Sequence, residues 1–260
     1  MKKVFISGCS SGIGKSLAYT YSKKGYTVGL GSRNMVALNL VKKECEEIGG
    51  CVFIYRLDVR DHKNCSLVAS RFQLDAGGID FVIANAGIGG HDDLFSGKSF
   101  EINNILKTNL LGMTNVLMPF IPFMKKERKG TLVCISSVAG FIPTPHHGGY
   151  SSSKVAIRMI FDSWRPTLKK FNIKTVTICP GFIDTPMVTG LGKSFPMKSS
   201  NQASQKFVEI IEKGTPTFIY PWPYRFLIWI YYITPKSLYN FLILKIFNKP
   251  ISKKINNIEA

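Results

Sequence analysis

Val4-Phe5-Ile6-Ser7-Gly8-Cys9-Ser10-Ser11-Gly12-Ile13-Gly14 is the stretch on which the fold turns. Three apolar β-formers run into a glycine-rich turn, and the turn opens onto an amphipathic segment, 13–24, with helical spacing. Glycines here permit a tight turn and close approach of a pyrophosphate to the backbone. The helix start behind them offers free N–H groups and a partial positive charge. A strand before the turn and a helix after it point to a dinucleotide-binding βα unit rather than an ordinary loop. The spacing is G-x-x-x-G-x-G, not the G-x-G-x-x-G of the general fingerprint.

Outward from this unit the same alternation continues. Residues 4–7, 27–31, 51–57, 79–84, 130–136 and 173–179 read as strands. Residues 13–24, 35–48, 63–74, 102–126 and 151–170 carry helical periodicity. Such alternation implies right-handed crossovers and a mostly parallel sheet covered on both faces, a doubly wound α/β fold of the Rossmann type. The runs FVIANAG (81–87) and TLVCISS (131–137) are apolar on both sides, as buried parallel strands should be. One domain, residues 1–215, is expected to hold the catalytic site, including a substrate loop at 182–200 and a helix at 201–213. An aromatic, basic extension at 216–260 should pack on or beside it. The longest apolar run there, 226–233, has eight residues, far short of the roughly 20 that span a bilayer, and Arg225, Pro235 and Lys236 bound it.

The 260 residues suffice for one large core. With 45% hydrophobic and 19% charged residues the chain is globular, which excludes a disordered tail protein. Only Val4, Phe5 and Ile6 are apolar before Ser7 and Gly8 interrupt, whereas a secretory signal needs an apolar run of roughly 7–15. The six cysteines form no C-x-x-C pair, which suits reduced, mostly buried thiols. These features predict an intracellular, cytoplasmic protein, with membrane association as the alternative. The net charge of +18 invites nucleic acid, an acidic partner or an anionic membrane as explanations. Yet the cations are spread along the chain, 26 are lysine against 8 arginine, and no arginine-rich stripe or zinc-finger spacing accompanies them. Nucleic-acid binding is therefore not expected, and no His/Cys/Asp/Glu cluster has metal-ligand spacing.

Further motifs follow the glycine turn in order. Asp58-Val59 comes after the third strand, Asn85-Ala86-Gly87 after the fourth, and Asn109 lies in the long helix. Ser137, Tyr150 and Lys154 follow the fifth strand, and Pro180-Gly181 with Thr185 the sixth. With this set the chain resembles the short-chain dehydrogenases/reductases from residue 3 to about 190. Ser7 stands where that family usually has threonine, a departure that keeps the hydroxyl. Y-x-x-x-K alone carries no weight, since Tyr19/Lys23 and Tyr232/Lys236 match it as well as Tyr150/Lys154. Only the last pair lies 13 residues after a serine ending a buried strand, at the presumed C-terminal edge of the sheet, where open α/β folds bind ligands. Tyrosine and lysine at i and i+4 share a helix face, and a neighbouring cation lowers a phenol that otherwise titrates near 10.

The resemblance implies Tyr150 as acid/base, Lys154 as the cation that tunes it and holds the nicotinamide ribose, Ser137 on the substrate oxygen and Asn109 in a proton relay. Ser136 is the neighbouring alternative to Ser137. It further implies dinucleotide contacts from Gly8, Ser10, Ser11, Gly12, Ile13, Gly14, Asp58, Val59, Asn85, Ala86, Gly87, Tyr150, Lys154, Pro180, Gly181, Ile183 and Thr185. Where a carboxylate would select NAD(H) at the end of the second strand, this chain has Ser32 followed by Arg33, whose guanidinium suits a 2′-phosphate. NADP(H) is favoured over NAD(H). Lys15 reads as a surface residue, and His146 and His147 as loop or pocket-wall residues.

Phe141, Ile142, Pro143, Phe182, Ile183, Met187, Val188 and Leu191 are the apolar residues expected around the substrate, and His147 joins the pocket. They favour a small hydrophobic carbonyl or alcohol. One alternative is a 3-oxoacyl thioester on an acidic carrier protein. Another, of a different class, is a catalytically silent dinucleotide sensor. The segment 217–249 has three readings: a lid over the cleft, an interface in a homo-oligomer (dimer or tetramer), or a peripheral membrane contact with Lys236, Lys245 and Lys249 on anionic lipid. Burial or oligomerisation is the favoured expectation.

Overall fold

A computed structural model describes residues 1–188 and 197–247. Leu191 and Lys249 fall outside them. The glycine turn joins β1 (Lys3–Ser7) to α1 (Gly12–Lys23), and the expected alternation follows: β2 (Thr27–Ser32), α2 (Met35–Glu46), β3 (Cys51–Arg56), α3 (His62–Ala76) and β4 (Phe81–Ala84). A long helical stretch leads to β5 (Gly130–Ile135), then α7 (Gly148–Lys169) and β6 (Ile173–Pro180). The stretch expected as one helix is segmented into α4 (Phe100–Leu106), a π-turn (Lys107–Leu111), α5 (Gly112–Leu117), a short 3-10 turn (Met118–Phe120) and α6 (Ile121–Glu127). Pro119 and Pro122 lack the N–H that an uninterrupted α-helix would use there, which accounts for the 3-10 break.

The strands form one sheet of order β3-β2-β1-β4-β5-β6-β9, parallel throughout. Its seventh strand, β9 (Thr217–Tyr220), was not among the six expected. It lies inside the segment read as an extension, follows α8 (Ser200–Lys213), and pairs with β6 from Thr177↔Thr217 to Pro180↔Tyr220. A two-stranded ladder, β7 (Ile183–Asp184) with β8 (Lys198–Ser199), flanks the main sheet.

Alternation along β1 builds both cores. Val4 and Ile6 face α1, α2 and α8 with Leu17, Leu38 and Phe207, while Phe5 faces the opposite layer with Phe72, Phe120 and Phe161. The Phe5 ring lies 5.4 Å from that of Phe72 and 5.3 Å from that of Phe120, centroid to centroid. Chain order reverses between β1 and β4, so the crevice of the sheet opens beyond their C-terminal ends.

α9 (Pro223–Ile233) and α10 (Lys236–Phe247) close the described chain. Within the monomer, the burial that formed part of the favoured expectation reaches β9, whose Phe218 and Tyr220 pack against the core, and stops short of most of α9 and α10 among the described residues. Ile228 is the buried residue of α9, and Trp222, Phe226, Trp229, Tyr232 and Phe241 are exposed. The core is already filled by α1, α2 and α8 on one face and by α3, α5 and α7 on the other. All six cysteines are free thiols, Cys51 exposed and the other five buried. Among the described residues no helix is long and apolar enough to cross a membrane.

Candidate active site

The C-terminal ends of β1, β4, β5 and β6 converge on a cleft of about 280 Å³ lined by residues from all four. Its floor is the glycine turn, which hydrogen bonds hold in place. Gly8 donates its N–H to the Gly31 carbonyl at 2.8 Å. The Ser7 hydroxyl accepts from the N–H groups of Asn85 (3.1 Å) and Ala86 (3.2 Å), and the Asn85 amide donates to the carbonyls of Ser7 (3.1 Å) and Gly8 (2.9 Å). Serine therefore does here the joining that a threonine hydroxyl would do. Gly8 is required by its φ of +73° and by the Ala86 backbone, which a Cβ would approach to 2.7 Å.

This floor fits a dinucleotide. α1 begins at the cleft, its N-cap Ser11 makes no side-chain cap, and its first turn carries no acidic residue, so the helix start faces the cleft with its N–H groups and positive end of the dipole. Ser10, Ser11, Gly12 and Ile13 line the cleft with Gly8; Gly14 is buried behind them. Asp58, Val59, Asn85, Ala86, Gly87, Pro180, Gly181, Ile183 and Thr185 line it too. Lys15 turns away to pair with Glu44 at 2.8 Å.

At the far end of the cleft stand Ser137, Tyr150 and Lys154. β5 runs out at Ile135, and strand alternation separates the two serines. Ser136 donates to the Lys154 carbonyl at 2.9 Å, tying β5 to α7, whereas the Ser137 hydroxyl accepts from Ala139 N–H at 3.1 Å and donates to the Pro180 carbonyl at 3.4 Å. The first turn of α7 presents Tyr150, and one turn on Lys154 places Nζ 5.5 Å from the Tyr150 ring centroid. That ammonium is buried and donates to the Ile135 carbonyl at 2.9 Å, which leaves it further donors for hydroxyl ligands. Burial lowers Lys154 to about 8. Burial also pushes the Tyr150 phenol above its ordinary value, and Ser137 pulls it part-way back. The expected lowering of the phenol by Lys154 is thus not the dominant influence; desolvation is.

Asn109 sits behind this group, in the π-turn. Its amide Oδ1 accepts from Ile88 N–H at 2.8 Å, and Nδ2 donates to the Ile88 carbonyl (3.0 Å) and to Ser153 Oγ (3.1 Å). The extra residue of the π-turn turns a buried amide toward the segment that follows Gly87. A π-turn inside an α-helix often marks a functional site.

At the adenosine end, Ser32 and Arg33 line the cleft and are joined by Arg60. Arg60 grips Asp58 through Nε (3.0 and 3.2 Å) and Nη2 (2.7 Å), and this pairing holds the Asp58 carboxyl down at about 2. Sequence reasoning missed Arg60, Ile88, Thr108 and Pro186 as lining residues. The signal for Arg60 was present, a cation two residues beyond a carboxylate at a strand end.

Of the residues expected around the substrate, Met187 lines the cleft, with Ile183 and Val188. Phe141, His147 and Phe182 do not. The Arg158 guanidinium lies over the Phe141 ring at 3.3 Å from its centroid. His147 is drawn away by the Gly90 carbonyl (2.7 Å from Nδ1) and by the His91 ring at 4.7 Å. Phe182 belongs to a segment covered by Tyr224, whose ring packs on Gly181. No three His, Cys, Asp or Glu among the described residues are placed to hold a metal.

The family model described as short chain dehydrogenase matches residues 2–194. The chain belongs to that family. This short-chain dehydrogenase is 33% identical over 190 residues to a 3-oxoacyl-[acyl-carrier-protein] reductase of Thermotoga maritima, covering 73% of this chain and 77% of that one. Among solved structures it is similar to an alcohol dehydrogenase of Thermococcus sibiricus complexed with 5-hydroxy-NADP, with a TM-score of 0.76, 25% identity and coverage of 84% and 94% of the two chains. A Burkholderia phymatum short-chain dehydrogenase/reductase in complex with NAD shares the fold, with a TM-score of 0.81 at 18% identity over 88% and 92%. The dehydrogenase is accordingly an NAD(P)-dependent oxidoreductase of the CH–OH/C=O class.

Proposed function

We propose that the protein uses NADP(H) to interconvert a hydrophobic carbonyl and its alcohol, with Tyr150 as the proton donor or acceptor. The observation that carries this reading is the convergence of Ser137, Tyr150 and Lys154 at the end of a cleft whose adjoining wall is Ile88, Ile183, Met187 and Val188. A bound nicotinamide supplies or accepts the hydride. The remaining work belongs to side chains of this protein. Ser137 hydrogen-bonds the substrate oxygen, and Tyr150 gives its phenolic proton to that oxygen in reduction or takes it back in oxidation. Lys154 holds positive charge beside the phenol and offers donors to ribose hydroxyls. Asn109 fixes the backbone at Ile88 and links it to Ser153, whose hydroxyl donates to the Tyr150 carbonyl at 2.7 Å.

Preference for NADP(H) rests on charge. Arg33 and Arg60 both border the adenosine end, Ser32 takes the place of a ribose-selecting carboxylate, and the nearest carboxylate, Asp58, is neutralised by Arg60. A second reading, reduction of a 3-oxoacyl thioester on an acidic carrier, is favoured by the Thermotoga maritima relative and by the net charge of +18.

Fluorescence titration with NADPH and NADH, followed by turnover on medium- and long-chain ketones and on a 3-oxoacyl thioester, tests both readings. Tighter NADPH binding with ketone reduction supports the first. Turnover restricted to the thioester selects the second. Binding of neither dinucleotide would leave a silent interaction protein as the better account.

A further inference from the structure

We infer that α9 and α10 form an interfacial anchor that lays the protein on an anionic lipid surface. In α9 the residues Trp222, Phe226, Trp229 and Ile233 recur at i, i+4, i+7 and i+11, hence on one face, and are 74%, 56%, 56% and 59% exposed. The opposite side is fixed to the body, through Ile228 in the interior and the Tyr224 ring on Gly181. In α10 Leu238, Phe241 and Leu242 form a second exposed row at i, i+3 and i+4, closed by Lys245 at i+7. Tyr239 holds this helix down by donating to the Pro143 carbonyl at 2.7 Å, and its ring meets that of Tyr231 at 4.9 Å. Both helices are thus pinned by tyrosines on one side and show tryptophan, phenylalanine and aliphatic side chains on the other. An apolar surface of this kind marks an interaction site.

Charge selects the occupant. From residue 214 through residue 258 the sequence holds no aspartate or glutamate, and it holds six cations: Arg225, Lys236, Lys245, Lys249, Lys253 and Lys254. A second copy of this chain meeting the same face would bring Arg225, Lys236 and Lys245, the described cations of the two helices, against like charge. Anionic headgroups neutralise that charge while the interface takes up the aromatic rings. Among the described residues neither helix is long and apolar enough to cross the bilayer, which makes the contact a peripheral one. Tyr224 covers Gly181, a residue of the cleft, so α9 adjoins the rim of the active site. The inference does not depend on which substrate or dinucleotide is used.

Co-sedimentation of the full chain with vesicles tests it, using phosphatidylcholine alone and phosphatidylcholine mixed with phosphatidylglycerol. Binding to the mixed vesicles only, reversed by salt, is expected. Lys236→Gln and Lys245→Gln should each lower partition about fivefold. Phe226→Ser with Trp229→Ser should abolish it while NADPH binding stays intact, the control for folding. Failure of the wild-type chain to sediment with mixed vesicles overturns the inference, as does equal sedimentation with both kinds. Lipid-free self-association that the Phe226/Trp229 pair of substitutions abolishes, without vesicle binding by the wild type, would make this face a contact between copies instead.

Discussion

Lys154 illustrates how a single buried group sets a working pH range. Its ammonium lies below its ordinary value, at about 8, because it sits beneath β5 and β6 with one backbone carbonyl as acceptor. The charged form is the one that donates to ribose hydroxyls and stabilises a phenolate. Dinucleotide affinity should therefore hold below pH 8 and fall as pH rises through about 8. Lys154→Arg should remove that limb, since guanidinium stays protonated throughout, and fluorescence titration across pH reads both. Tyr150→Phe should abolish turnover and leave NADPH binding within about twofold; retained turnover would remove Tyr150 from the proton-transfer role. Arg33→Asp should weaken NADPH far more than NADH, and equal loss would place the guanidinium away from the phosphate. Asp92 is a quieter case. Its buried carboxylate accepts the Gly149 N–H on both oxygens, at 3.2 and 3.1 Å, one residue before Tyr150. Asp92→Ala leaves that N–H without its acceptor, at a cost of about 1–3 kcal/mol. It should lower kcat more than dinucleotide affinity, and Asp92→Asn should restore most of the loss.

At the scale of elements, the stretch 100–127 shows how local geometry departs from periodicity. Its hydrophobic spacing is helical throughout, so a single helix is what the pattern predicts. The π-turn at Lys107–Leu111 leaves no mark in composition, because it is held by tertiary bonds from Asn109 to Ile88 and Ser153. Asn109→Ala would leave the Ile88 N–H and carbonyl unpaired, a loss of about 1–3 kcal/mol. That corresponds to a Tm lower by roughly 2–12 °C for a chain of this size, readable by calorimetry. The glycine turn, by contrast, was legible residue by residue, since positive φ and close backbone approach leave few alternatives to glycine. Arg60 and the drawing-off of Phe141 and His147 were not legible. Each depends on a partner, Asp58, Arg158 or His91, whose side-chain direction no spacing rule supplies. The strand β9 escaped notice for a related reason: TFIY is continuous with the aromatic run that follows, and only pairing with β6 separates it.

Across the whole molecule, the sheet reaches beyond the segment matched by the family model. That match ends at residue 194, yet β9 supplies the edge strand next to β6, and Tyr224 covers the turn at Gly181. A chain ending after Lys213 should therefore lose β9 and aggregate, whereas a chain ending after Ile233 should keep its melting temperature and NADPH affinity. Circular dichroism melts of the two truncations check this, and equal stability would show β9 to be dispensable. The order in which a ribosome delivers these strands adds a consequence of its own. β6 is complete at Pro180, but its partner ends at Tyr220, forty residues later. At roughly 5–20 residues per second, synthesis leaves that edge of the sheet open for about 2–8 s. The half-made protein then carries a bare row of backbone donors and acceptors beside apolar side chains, and that interval is when the nascent chain most needs the company of a chaperone.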